Sequence, residues 1–253
     1  MNHILITGSS GGLGRAVRPL LRQAGPQLRL MSRRAPASAE WVQADLDTGA
    51  GLAEAVRGVD TILHCASSPA SRTQAVDVEG TRRLLAAAKA AGVAHLYYIS
   101  IVGIERLPLA YYRAKVSAEA VVRASGVPWT ILRATQFHSL IDGLFQASAR
   151  FPIGLTVPAL KYQPIDTSEV AAHIAATLAH GAAGRLPDIG GPEVLTLGEM
   201  LPPWLQARQL KRLLIPVPLP GGLGQALRSG YNTCPSQKFG KITWAQWLQT
   251  HCP

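Results

Sequence analysis

Residue types that can do chemistry cluster in short stretches of this chain. Thr7-Gly8-Ser9-Ser10-Gly11-Gly12-Leu13-Gly14 follows an apolar run, His3–Thr7, and opens a helix-like stretch. Glycines there permit a tight turn and let backbone N–H groups approach a pyrophosphate at the helix N-terminus. Thr7, Gly8, Ser10, Gly11, Gly12, Leu13 and Gly14 are therefore the candidate phosphate cradle. The second apolar run ends in Met31-Ser32-Arg33-Arg34. It lacks the acidic residue that NAD-specific sites place about 20 positions past the glycines. Guanidinium groups at that point would instead pair with a ribose 2′-phosphate, at about 1.5–3 kcal/mol for each charge-assisted contact. Ser32 and Arg33 are the first candidates for that contact, Arg34 and Arg15 the next. The cofactor expected from these residues is NADP(H).

Tyr111 and Lys115 lie four apart, on one face of a helix. A phenol with a pKa near 10 exchanges protons poorly at neutral pH. An ammonium about 4 Å away, at an effective dielectric near 20, contributes on the order of 4 kcal/mol toward the phenolate. The spacing thus predicts a tyrosine tuned by a lysine for acid–base work. Tyr112 is a register rival to Tyr111. Cys65, Cys234 and Cys252 show no metal-ligand spacing, and no metal site is expected.

The elements that must position these groups alternate. Short apolar runs occur at residues 3–7, 28–31, 41–44, 61–65, 95–100 and 129–133. Helix-like stretches at 13–24, 52–57, 81–91 and 115–124 lie among them. Strands alternating with helices imply right-handed crossovers and a doubly wound parallel α/β sheet, the Rossmann arrangement. The runs are apolar without strict alternation, as strands covered on both faces should be. Past residue 135 prolines multiply and the regularity fades. Thr196-Leu197-Gly198-Glu199 reads as a capping box, Thr243 as the cap of a last helix, and Trp244, Trp247 and Leu248 as its core face. The whole chain, residues 1–253, is expected to form a single domain. Residues ~135–253 would supply a substrate-binding cap at the carboxyl edge of the sheet.

Composition narrows the function classes. Of 253 residues, 47% are hydrophobic and 16% charged, which excludes disorder over most of the length. No apolar run is long enough to span a membrane, and the start of the chain lacks the pattern of a signal peptide. The expectation is a cytoplasmic protein with a small-molecule substrate and no membrane partner. The formal net charge of +10 comes from 25 basic against 15 acidic residues. The arginines are dispersed and no recognition motif accompanies them, so no nucleic-acid partner is expected.

The Thr-Gly-x-x-Gly-x-x-Gly loop, Asp45-Leu46 and Tyr111-x-x-x-Lys115 resemble the short-chain dehydrogenase/reductase superfamily. Within it, Tyr98-Ile99-Ser100-Ile101-Val102-Gly103, Trp129-Thr130-Ile131-Leu132-Arg133 and Asp188-Ile189-Gly190-Gly191-Pro192-Glu193 are similar to the atypical, NmrA-like NAD(P)H-binding branch. The resemblance implies that Asp45 and Leu46 flank an adenine. It sets His64, Cys65, Ala66 and Ser67 beside the ribose and phosphates of the cofactor. Lys115 would hold the nicotinamide ribose while Tyr111 protonates the oxygen of a carbonyl receiving hydride. It also implies a hydroxyl after the fifth strand. Ser100 either supplies it or is a buried strand-end serine, with Ile101 at the hydroxyl's position. Thr135, Gln136, Phe137 and His138 would meet nicotinamide and substrate, and His138 and Gln163 are candidate substrate ligands. The implied activity is NADPH-dependent reduction of a small carbonyl, enone or quinone-like compound. The alternatives are a non-catalytic NADP(H) sensor of NmrA type, or an isomerase or lyase. The protein is expected to be a monomer, or a homodimer paired through residues 81–91 and 115–124.

Overall fold

A computed structural model describes residues 3–35 and 38–252. In chain order the elements begin with β1 (His3–Thr7), α1 (Gly12–Gln23), β2 (Gln27–Ser32), β3 (Trp41–Gln43), α2 (Leu52–Val56) and β4 (Thr61–His64). A π-helical segment, Gln74–Gly80, then runs directly into α3 (Thr81–Ala90). Next come β5 (His95–Ile101), α4 (Ala110–Ala124), β6 (Trp129–Ala134), α5 (His138–Ser148), β7 (Ile153–Thr156) and β8 (Lys161–Tyr162). The remainder are α6 (Thr167–Leu178), β9 (Gly184–Arg185), β10 (Leu195–Thr196), α7 (Leu197–Ala207), β11 (Leu213–Pro216), α8 (Gly221–Arg228) and α9 (Trp244–His251).

The chain divides into two compact units. The first comprises residues 1–100, 110–132 and 170–186. Its seven-stranded sheet has the order β3-β2-β1-β4-β5-β6-β9, with parallel pairing through β1, β2, β3, β4 and β5 and between β6 and β9. The doubly wound expectation is met. Buried Leu5, Ile62, Leu96 and Ile131 pack under Leu52, Leu84, Ala88, Ala118 and Val122 from α2, α3 and α4. Tyr97 and Tyr98 show the two-sided burial directly, because successive strand residues point to opposite faces. The Tyr97 hydroxyl reaches Thr177 of α6 at 2.8 Å, and the Tyr98 hydroxyl accepts from Lys115 of α4 at 2.7 Å. Strand order reverses at β1, which lies between β2 and β4. Open α/β sheets bind ligands beyond the carboxyl ends of their strands at such a point.

The second unit comprises residues 101–109, 133–169 and 187–253. It holds two small sheets, β7 paired parallel with β11 and β8 antiparallel with β10. Both expected caps form: Thr196 with Glu199 and Thr243 with Gln246 make reciprocal capping boxes on α7 and α9. Trp204 is fully buried and donates from Nε1 to Asp142 at 2.6 Å, while Arg208 bridges to the same carboxylate at 2.7 Å. Trp244, Trp247 and Leu248 form the buried face of α9, as their spacing predicts.

α4 starts at Ala110 rather than Lys115, so Tyr111 lies inside the helix. The π-helical turn, the short β9 and the two small sheets carry no period that sequence reading detects.

Candidate functional site

A groove of about 940 Å³ opens at the carboxyl ends of β1, β2 and β4 in the first unit. One wall is the glycine loop. Gly8 takes φ +64°, and a Cβ there would lie 2.7 Å from the Ala66 nitrogen, so β1 and β4 can release their loops side by side only with glycine at this position. At Gly14 a Cβ would fall 2.3 Å from the Gly8 carbonyl oxygen, so this glycine seats α1 on the loop. Gly8, Ser10 and Gly11 line the groove. Gly12, Leu13 and Gly14 continue into α1, and the lining does not include them. Thr7 lies wholly buried behind the loop: its hydroxyl meets His64 Nδ1 at 2.6 Å and accepts from the Ala66 amide at 3.2 Å. Its part is to fix the loop rather than touch a ligand.

Ser9 has no assigned role in the sequence reading, yet it joins the two phosphate-facing segments. Its hydroxyl donates to the Met31 carbonyl at 2.8 Å, tying the glycine loop to the end of β2. From there Ser32, Arg33 and Arg34 enter the groove wall, with Arg15 opposite them from α1. The three arginines are exposed. Gln43 donates to the Arg33 backbone carbonyl at 3.1 Å, which fixes the loop that carries this arginine. Asp45, Leu46, Cys65, Ala66 and Ser67 complete the expected lining, and Trp41 adds an aromatic face backed by the Arg18 guanidinium at 5.6 Å. Glycine cradle, helix N-terminus and a basic far end fit the diphosphate and 2′-phosphate of a dinucleotide.

The groove wall also connects to a polar chain that ends in a buried carboxylate. Ser67 Oγ donates to Asp77 Oδ1 at 2.5 Å and lies 2.8 Å from the Tyr111 hydroxyl. Ser67 has one hydroxyl proton and Asp77 takes it, so Tyr111 is the donor to Ser67. Asp77 is 1% exposed and sits on the π-helical turn, and its second oxygen accepts from the Ser68 amide at 2.8 Å. Single π-turns are frequent at functional sites, and here the turn is what carries a carboxylate to Ser67. Sequence reading overlooked Asp77; an acid set between two valines, Val76-Asp77-Val78, was the available signal.

Lys115 does not serve Tyr111 as the spacing suggests. Its ammonium donates to the Tyr98 hydroxyl at 2.7 Å and to the Ile99 carbonyl at 2.9 Å. The helical face is shared, but the lysine side chain is drawn in to Tyr98 and Ile99 of β5, an interior strand of the sheet. Burial pushes the Tyr111 phenol up to about 12, and the Asp77 charge adds to that. The expected lowering of Tyr111 is therefore replaced by the opposite shift. Burial pulls the Lys115 ammonium down to about 8 against the support of Asp77 and Glu119. His64 Nε2 meets Thr81 at 2.9 Å, and burial followed by the Lys115 charge takes this imidazole down to about 3, so it is neutral. Ser100 is buried with its Oγ unpartnered, and Tyr112 is buried with its ring set edge-on to Tyr111.

Thr135, Phe137, His138 and Gln163 all belong to the second unit, where they do internal work. Thr135 donates to the Gln163 carbonyl at 2.5 Å. The Gln163 amide is spent on Gly191 and Cys234, at 2.8 and 2.7 Å, which leaves it no free group for a substrate. Phe137 caps α5 and bridges Ile165. His138 is 1% exposed, its ring plane lies within 13° of parallel to those of Trp244 and Trp247, and burial takes it down to about 4. It is a neutral ring in an aromatic stack. Among the described residues no group of three His, Cys, Asp or Glu is placed to hold a metal, and no helix is long and apolar enough to cross a membrane.

The glycine loop, doubly wound sheet and groove define a dinucleotide-binding protein. A family model described as NAD(P)H-binding matches residues 8–180. The chain belongs to this NAD(P)H-binding family, and its likeness to the short-chain dehydrogenase/reductase superfamily holds. It is 34% identical over 223 residues to a (4-alkanoyl-5-oxo-2,5-dihydrofuran-3-yl)methyl phosphate reductase of Streptomyces griseus, covering 83% of this chain and 73% of that one. It is 27% identical over 210 residues to quinone oxidoreductase 2 of Escherichia coli, covering 78% and 71%. In fold it is similar to an Escherichia coli NADPH-dependent quinone oxidoreductase complexed with NADPH (TM-score 0.80, 22% identity, 98% and 99% coverage). A short-chain dehydrogenase/reductase superfamily protein of Agrobacterium tumefaciens with bound NAD is also similar (TM-score 0.75, 25% identity, 99% and 96% coverage).

Proposed function

We propose that this protein is an NADPH-dependent oxidoreductase of the atypical short-chain type, reducing a small carbonyl, enone or quinone-like compound. The observation that carries this reading is the hydrogen bond from Tyr111 to Ser67, because Ser67 is itself part of the groove wall. It joins a nucleotide-shaped groove to a phenol proton, an arrangement that a passive sensor has no need to keep. The reductase names of the relatives support the same class.

In this reading Gly8, Ser10 and Gly11 hold the diphosphate, and Ser32, Arg33 and Arg34 take the 2′-phosphate. Asp45 and Leu46 flank the adenine. When bound, the nicotinamide supplies a hydride. Tyr111 stays a phenol across the neutral range because burial and the Asp77 charge oppose the phenolate. It is therefore present as the acid form and gives its hydroxyl proton to the strongly basic oxygen or carbanion that reduction leaves behind, the phenolate then regaining a proton from solvent. Ser67, a donor to Asp77, accepts the Tyr111 hydrogen bond while no substrate is bound, and the Tyr111 hydroxyl turns from Ser67 to the substrate oxygen or carbanion to act. Lys115 keeps a positive charge beneath the site and orients the β5 end through Tyr98 and Ile99.

Replacing Tyr111 with Phe removes the proton and keeps the ring. Substrate-dependent NADPH oxidation by Tyr111→Phe should fall about 10²–10⁴-fold, with NADPH affinity unchanged. Unchanged turnover would remove Tyr111 from the mechanism.

A further inference from the structure

β7 and β11 leave one face of their small parallel sheet bare. In register, Ile153 pairs with Leu213 and Leu155 with Ile215, so four aliphatic side chains share a face. They are 43–62% exposed, and Phe151, at the turn into β7, is 66% exposed. The opposite face is filled: a Cβ on Gly154 would lie 2.0 Å from the Ser148 carbonyl at the end of α5. Parallel sheets are ordinarily covered on both faces, and bare contiguous apolar surface marks a site of association.

Charge says what associates. Arg150, Lys211 and Arg212 stand at the start of these two strands, so the apolar face has a basic rim. Arg150 and Lys211 are exposed and have no acidic partner among the described residues. The sequence carries no Asp or Glu from residue 200 to 253, but six Lys and Arg. A second copy of this chain would set the same patch against itself and bring no acidic residue of the 200–253 stretch to the basic rim. Hydrocarbon below with anionic headgroups beside it satisfies both parts of the surface. We propose that the β7–β11 face docks on the surface of an anionic lipid bilayer. The protein lies on the membrane without spanning it, in departure from the sequence expectation of no membrane partner, and this holds whether or not the oxidoreductase reading is right.

The test is flotation of the full chain with vesicles of phosphatidylcholine alone and with about one-third phosphatidylglycerol. Binding is expected to the anionic vesicles only and to weaken with salt. Ile153→Ser with Leu213→Ser should lower it at least tenfold. Arg150→Gln with Lys211→Gln should lower it about fivefold for each charge removed. All four positions are at the surface, so unchanged circular dichroism and NADPH affinity certify the fold and keep this test apart from the cofactor reading. Three outcomes would overturn the proposal: no flotation of the parent protein, equal flotation of the variants, or a parent dimer in sedimentation that Ile153→Ser with Leu213→Ser dissolves.

Discussion

The two units use their residues in opposite ways. In the first, function is made by leaving atoms out: Gly8 and Gly14 exist because a Cβ at either has no room, and the lining of the resulting hollow includes backbone, small side chains and exposed arginines. In the second, polar groups are consumed internally. Gln136 and Gln163 bond Asn232 and Cys234, Trp204 bonds Asp142, and His138 is stacked away among tryptophans. What the second unit presents outward is instead aliphatic and basic. A site for a small polar ligand must keep hydrogen-bonding capacity within reach of solvent, and the groove of the first unit does so, whereas the unspent ring nitrogens of His138 are buried.

That contrast can be broken at its strongest point first. Gly14→Val drives a branched side chain against the Gly8 carbonyl and should weaken NADPH binding by up to about 150-fold, by the roughly 1–3 kcal/mol scale of overpacking. Equilibrium titration measures it, with circular dichroism to confirm that the sheet persists. Next in size is pH. The Lys115 ammonium is lost as pH rises through about 8, whereas Tyr111 holds its proton to about 12. The alkaline limb of kcat/KM should therefore fall from near pH 8, about tenfold for each further unit. Stability moves the other way. Lys115 is depressed from 10.5 in the unfolded chain to about 8 in the folded one, so the unfolded chain binds the extra proton and this group's contribution rises with pH across that window. A melting temperature that fell along with activity would put the limb down to unfolding. The smallest effect belongs to the second unit. Asn232→Ala removes a buried amide that donates to the Lys161 carbonyl at 2.9 Å. It should cost about 1–3 kcal/mol of stability in denaturant unfolding and leave NADPH affinity unchanged.

The same contrast explains how much the sequence could tell. Groove residues near a strand end, from Gly8 to Ser67, were legible because glycine and arginine at fixed offsets have few other uses. The capping boxes at Thr196 and Thr243 were legible for the same reason. Lys115 was placed on the right helix with the wrong partner: spacing reports a shared face, but burial against β5 decides where a long side chain ends. Asp77 and Ser9 were missed because a π-turn and a loop-to-strand tether leave no periodic trace. His138 and Gln163, offered as ligands, turned out to be interior groups, since a polar side chain at a strand end reads the same whether it is spent or free.

The central claim is that the groove binds a dinucleotide through its 2′-phosphate. The direct measurement is an equilibrium titration with NADPH and with NADH, repeated on Arg33→Ala. NADPH should bind more tightly than NADH, and the variant should lose about 10- to 150-fold toward NADPH while its NADH affinity stays put. Equal loss toward both dinucleotides, or none toward either, would contradict the assignment of Arg33.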